Sequence, residues 1–207
     1  MVQTIQATDL TLHDLRTKFG LNLIEDDQFF PEWLEGLPEL TELEQQGLDR
    51  VKANYLDLVE QPMIESTVKM VVLAPLLDLA GFYRLPFRIT AETSITVAAE
   101  DEGVLIQGRI DVLVLQEQFW ILVIESKRPT FSVDLAIPQA LSYMLGNPNP
   151  QRPSFGLITN GSQFLFLKLT RQDSPKYALS NLFSLLNRGN DLYKVLQVLK
   201  RLSQVVI

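Results

Sequence analysis

Gly108-Arg109-Ile110-Asp111-Val112-Leu113-Val114-Leu115, followed after a short gap by Trp120-Ile121-Leu122-Val123-Ile124-Glu125-Ser126-Lys127, reads as two buried strands joined by a tight hairpin. Within the apolar part of these runs the only charges are Asp111 and, at the end of the second, Glu125 and Lys127. A carboxylate buried beside a sheet core is costly unless a cation or hydrogen-bond donors compensate it. Side chains two apart on a strand share a face, so Glu125 and Lys127 point the same way, and the hairpin brings Asp111 alongside. Asp111, Glu125 and Lys127 are therefore the expected functional site.

Outward from this pair, Phe87 to Ala98 reads as a strand that turns at Glu100-Asp101-Glu102-Gly103 into Val104 to Leu115. Gln116-Glu117-Gln118 closes the next hairpin. Ser132 or Asp134 opens a helix to about Leu145, ended by Asn147-Pro148-Asn149-Pro150. Phe155 to Thr159, the turn Asn160-Gly161, and Phe164 to Leu169 give two more strands. A weaker helical patch near Leu179 to Leu186 precedes a last amphipathic helix over about Asn190 to Leu202.

Upstream, Thr8 to Lys18 fits a short helix, and Leu21 to Glu39 is irregular, with Pro31 and Pro38 flanking Trp33. Thr41 with Glu44 forms a capping box for a helix to about Glu60, with Leu43, Leu48, Val51, Tyr55 and Leu58 at helical spacing. Pro62 suits the first turn of a second helix that Gly81 stops. That helix carries Met63, Ile64, Val68, Val71, Val72, Leu76 and Leu79 on one face and Glu65 near its start. The expected fold is one α/β domain: a helical extension over 1–61 and a sheet-containing core over 62–207.

The 207 residues suffice for one sizeable core, and 46% hydrophobic with 21% charged residues is globular composition. No apolar run approaches the roughly 20 residues that span a bilayer, and Met1 to Gly20 has no signal-peptide pattern, so a cytoplasmic protein without a membrane contact is expected. With no Cys and only His13, zinc sites of the Cys/His kind, Cys nucleophiles and disulfides are excluded. The net charge of −7 is unevenly placed. Residues 1–62 hold 13 acidic and 4 basic side chains, whereas residues 63–207 hold 12 acidic and 14 basic ones. The acidity belongs to the N-terminal segment, which leaves the remainder free to carry a basic cleft for nucleic acid.

Glu65, in the first turn of a helix that must pack on the sheet, is the best third carboxylate. Three carboxylates close together repel unless a cation neutralises them. Oxygen ligands without His or Cys select Mg²⁺ or Mn²⁺. The order of Glu65, Asp111, Glu125-Ser126-Lys127 and a helix with Gln139-Ala140-Leu141-Ser142-Tyr143 resembles the core of the PD-(D/E)XK nuclease superfamily, whose fold is a restriction-endonuclease-like mixed sheet flanked by helices. Gln139-x-x-x-Tyr143 and Ile158-Thr159-Asn160-Gly161 are similar to the nuclease domains of type I restriction enzyme motor subunits. The resemblance covers about residues 62–170. Ile110 stands where the motif name has proline, and no Gly-x-x-x-x-Gly-Lys-Ser/Thr loop occurs, so these residues hold no helicase motor.

The resemblance implies a metal-dependent DNA endonuclease linked to restriction or repair. Asp111, Glu125, Glu65 and the Ser126 backbone carbonyl would be ligands of Mg²⁺ or Mn²⁺, and Lys127 would support the attacking water. Gln139 and Tyr143, four apart on one helix face, and Arg109 and Arg128 would contact substrate. With so little positive charge, substrate capture would draw on a partner subunit or a second copy. The alternative is a catalytically silent module of this fold that binds nucleic acid or a protein partner. Alternatives also stand for single residues. Glu125 and Lys127 could be an ion pair at a sheet end, and Glu65 could pair with Lys69, worth only about 0.3–0.5 kcal/mol. Gln139 and Tyr143 could serve helix packing. His13 reads as an exposed helix residue. Glu25-Asp26-Asp27 reads as a solvated loop or as a phosphate mimic over the cleft.

Overall fold

In the computed structural model, which describes residues 3–99, 104–117 and 119–205, the long strand β4 (Val104–Gln116) organises the sheet. One edge of β4 pairs antiparallel with β3 (Phe87–Ala99) along its whole length. The other edge is shared. β1 (Gln3–Gln6) pairs with it in parallel over Val104–Gln107, and β5 (Phe119–Ser126) pairs antiparallel from Val112 onward. Between these partners residues 108–111 of β4 have no sheet partner on that side among the described residues, and the C-terminal ends of β1 and β5 both stop there. This gap positions the site.

β5 continues in parallel to β6 (Ser154–Thr159) after the crossover helix α5 (Ile137–Leu145). β7 (Gln163–Thr170), β8 (Lys176–Leu179) and β2 (Asn22–Leu23) complete the order β1-β4-β5-β6-β7-β8-β2, with β9 (Phe183–Ser184) on β7. Alternation, shifted by one residue where β5 passes Val114 and Leu115, sorts the side chains to two faces. Val112, Val114, Leu122, Ile124, Leu157, Phe164 and Phe166 pack with helix α2 (Glu42–Leu58), the run Glu65–Leu79, and α6 (Leu192–Val205). Leu113, Val123, Ile158, Leu165 and Leu167 pack with α1 (Leu12–Phe19) and α5. This is the mixed α/β, restriction-endonuclease-like arrangement expected.

The β3–β4 hairpin changes face partway. Phe87 and Ile89 pack on the α2/α6 side, whereas Ile95 and Val97, in the same alternating row, pack on the α5 side. The switch occurs at Glu92, whose φ of 55° lies in the left-handed region that a non-glycine residue rarely adopts. Glu92 lies across from Asp111 between the registered pairs Ala91–Val112 and Thr93–Ile110, so the sheet twists away beside the gap.

Several local expectations need correction. The Thr41 capping box is present, but Leu43 and Leu58 of the anticipated apolar row are exposed; Leu48, Val51 and Tyr55 alone are buried. The second helix starts at Glu65 rather than at Pro62, because Ile64 is extended and its carbonyl accepts the first helical bonds from Thr67 and Val68. That helix runs as α3 (Glu65–Val68), a π-helical stretch (Lys69–Leu73) and α4 (Ala74–Leu79). The patch at Leu179–Leu186 is not helical: it holds the end of β8 and the two-residue β9, with Ser180 N–H donating to the Phe166 carbonyl and Leu185 N–H to that of Ser162. Residues 1–61 are not purely helical, since β1 and β2 extend the sheet at its two ends. The turn expected at Glu100–Gly103, and Gln118, lie outside the described residues. Among the described residues no helix is long and apolar enough to cross a membrane.

Candidate active site

The unpaired stretch of β4 forms the floor of a cleft of about 590 Å³ lined by Glu65, Asp111, Glu125, Lys127, Gln139 and Tyr143, with Arg109 and the end of β1 on its walls. Gly108 lets this floor close. A Cβ there would stand 2.6 Å from Tyr143 Cε1 and 2.8 Å from Ala7 Cβ. The Tyr143 hydroxyl in turn accepts from Arg109 N–H at 3.3 Å, satisfying a donor that the gap leaves without a strand partner.

Register and alternation bring the two central carboxylates together. Val112 faces Ile124 across the ladder, and one step further the side chains of Asp111 and Glu125 lie on the α5 face. Asp111 Oδ2 accepts from Ser126 N–H at 2.7 Å, and its Oδ1 accepts from Lys69 Nζ at 2.9 Å. Lys69 also pairs with Glu65 Oε1 at 2.8 Å. Glu125 is 2% exposed; its Oε1 accepts from Lys127 Nζ at 2.5 Å, while Oε2 is buried with no hydrogen-bond partner among the described residues. Lys127 donates a second bond to Gln139 Oε1 at 3.0 Å, and Gln139 Nε2 donates to the Tyr143 hydroxyl at 2.8 Å. Gln139 and Tyr143 thus form the buried back of the site and hold Lys127. Their 8% and 1% exposure leaves little surface for the substrate contact that the helix spacing suggested.

Arg109 is exposed on the cleft rim, 3.4 Å from Glu92. Arg128 is exposed and does not line the cleft. Ser126 contributes its N–H, and its hydroxyl is buried without a partner. His13 is an exposed residue of α1. Glu25, Asp26 and Asp27 line a separate depression with Trp33 and Leu179, beside the opposite end of the sheet, so they do not cover this cleft. Sequence reasoning missed Lys69 as a partner of Asp111. Its i,i+4 spacing from Glu65 was readable, but the reach to a residue 42 positions away was not.

Burial pushes the Glu125 carboxyl up to about 7, with the nearby Asp111 charge adding to the rise and Lys127 opposing it. Burial also raises the Tyr143 hydroxyl above its ordinary value. For Lys69, burial works downward, but the bonds to Glu65 and Asp111 outweigh it and hold the ammonium above its usual range. Without divalent cation, native Glu125 retains a proton between about pH 4.5 and 7 that the unfolded chain releases. The stabilisation is thus full below about pH 4.5 and lost as pH rises through 7, an effect of about 3 kcal/mol. Urea unfolding in EDTA is expected to show this decline, and Glu125→Gln to flatten it; an unchanged slope in the variant would rule it out.

As the side chains lie, no three His, Cys, Asp or Glu among the described residues are placed to hold a metal ion. Asp111 and Glu125 adjoin, but Glu65 reaches Asp111 only through the intervening Lys69. The chemistry of the donor set nevertheless suits a hard divalent cation. It is all carboxylate, and Glu125 keeps a buried oxygen with nothing to bond it, which an ion would satisfy.

Comparison with known proteins gives one family and no close curated relative. The family model described as type I restriction enzyme R protein N terminus (HSDR_N) matches residues 39–175. The match takes in Glu65, Asp111, Glu125, Lys127, Gln139 and Tyr143, and begins upstream of residue 62, so that α2 is included. No curated protein matches the chain. A mixed sheet with this carboxylate–lysine corner, matched over well more than half its length, belongs to the N-terminal domain family of type I restriction enzyme R proteins, the nuclease domain of those enzymes.

Proposed function

We propose that this chain is a divalent-cation-dependent endonuclease that hydrolyses phosphodiester bonds of DNA in the cytoplasm, in restriction or repair. One observation carries the reading. Glu125, buried with an oxygen that nothing bonds, stands beside Asp111 and Lys127 on the floor of an open cleft. Asp111 and Glu125, with Glu65 and the Ser126 carbonyl as further donors, would hold Mg²⁺ or Mn²⁺. When bound, such an ion polarises the scissile phosphate and makes a neighbouring water more acidic.

The protein's own contribution is positioning and charge. Lys127 is fixed by Glu125 on one side and by Gln139 on the other, so its ammonium is already in place where negative charge builds on the phosphate. Held between these two oxygen acceptors, it suits electrostatic support of the attacking water rather than proton abstraction. Tyr143 and Gln139 act through Lys127 and the β4 edge. Arg109 on the rim is placed for a phosphate contact.

A second reading, a silent module that binds nucleic acid or a protein partner, draws on the salt bridges of Lys69, which neutralise Glu65 and Asp111 without any ion. Supercoiled plasmid, single-stranded DNA and RNA incubated with the purified chain separate the two. Nicking or linearisation of DNA in Mg²⁺ or Mn²⁺, abolished by EDTA, is expected of the nuclease. DNA that stays intact in every condition, yet is retarded in a gel by the protein, would favour the silent module.

A further inference from the structure

We propose that Lys69 is a built-in counter-ion that occupies Asp111 and Glu65 in the metal-free protein and must leave them before a divalent cation is held. This rests on the metal-dependent reading above and specifies how that site is kept before loading. Lys69 lies on the helical run packed against the α2/α6 face, yet its ammonium bridges Glu65 Oε1 at 2.8 Å and Asp111 Oδ1 at 2.9 Å. An ordinary i,i+4 surface pair would involve Glu65 alone. The additional reach to β4 is made at the gap in the sheet.

Asp111 has no idle oxygen. Its Oδ2 accepts from Ser126 N–H at 2.7 Å, a backbone group fixed by β5 that cannot step aside. Only the lysine can yield. An ammonium and a divalent cation on one carboxylate oxygen repel, so the two occupants exclude each other. The arrangement of the side chains agrees, since among the described residues no three acids stand ready for an ion while Lys69 is between two of them. Lys69 is able to move, because its side chain is 26% exposed and it opens the π-helical stretch Lys69–Leu73. Such wide turns within helices are frequent at functional sites. In the resting protein the lysine offsets the repulsion between carboxylates, so that the cleft stays formed without an ion.

Calorimetric titration of Mg²⁺, without DNA or turnover, into the parent, Lys69→Met, Lys69→Arg and Asp111→Asn tests the idea. Lys69→Met is expected to bind about tenfold tighter than the parent, and Lys69→Arg within about threefold of it. Binding that is absent in the parent, or equal in the parent and Asp111→Asn, would overturn the metal-dependent reading itself. Binding that depends on Asp111 but is no tighter, or is weaker, in Lys69→Met would overturn the role of Lys69 and leave that reading standing. A measurement on the parent alone guards against a misfolded variant. With Mg²⁺, acetylation of Lys69 followed by mass spectrometry is expected to quicken about threefold, because the half-buried amine loses two carboxylate partners. An unchanged or slower rate would contradict the proposal.

Discussion

Asp111→Asn is expected to slow Mg²⁺-dependent DNA cleavage by about 10³-fold while leaving the fold as stable as the parent. The substitution is isosteric, and the asparagine carbonyl oxygen can still accept the Ser126 N–H that Asp111 accepts at 2.7 Å. What disappears is the negative charge. Lys69 loses one of its two partners, and the Glu125 carboxyl loses one of the influences that raise it. Removing like-charge repulsion at a buried carboxylate compensates for the broken ion pair, so urea midpoints in EDTA should differ little. Single-turnover cleavage of a labelled duplex, read beside those midpoints, separates lost chemistry from lost folding. Cleavage within about threefold of the parent would remove Asp111 from the site.

Lys127→Ala is expected to lower the rate by about 10²–10³-fold with a smaller change in DNA affinity. Lys127 makes two fixed hydrogen bonds, to Glu125 and Gln139, and its side chain is 16% exposed, so the charge is preorganised rather than loosely tethered. Truncating one partner of a buried ion pair usually costs about 3–5 kcal/mol, because the other charge is stranded. Glu125 has an escape. Its carboxyl already sits at about 7 with Lys127 opposing the rise, so without Lys127 it moves higher and takes up a proton. The variant should therefore fold, and its residual activity should need a higher pH than the parent, because only ionised Glu125 can act as a ligand. A parallel pH profile in parent and variant would show that Glu125 and Lys127 are not coupled in the reaction.

The site was legible where local rules and tertiary placement agree. Alternation put Glu125 and Lys127 on one face and the hairpin put Asp111 on the neighbouring strand, but the one-residue register shift between Val114 and Leu115 was not readable, and without it Asp111 would stand opposite Ile124 rather than beside Glu125. The Thr41–Glu44 capping box was readable, since both of its bonds are local. β1, β2, β8 and β9 were not, because strands of two to four residues carry too little alternation, and β1 and β2 are held by neighbours far along the chain. Helical spacing placed Gln139 and Tyr143 on one face of α5, but not its depth: every residue of that helix is buried, and from there Gln139 holds Lys127. Glu92 is the extreme case. Nothing in its neighbourhood announces a left-handed residue in mid-strand, yet that residue marks where the hairpin changes face beside Asp111.

Anomalous diffraction from crystals of the parent soaked in Mn²⁺ addresses the central claim without any assay. A strong peak within ligand distance of one oxygen each of Asp111 and Glu125, with the Lys69 ammonium withdrawn from Asp111, is the predicted result. Fully occupied manganese elsewhere on the molecule and none at this corner, with Lys69 still bridging Glu65 and Asp111, would contradict it.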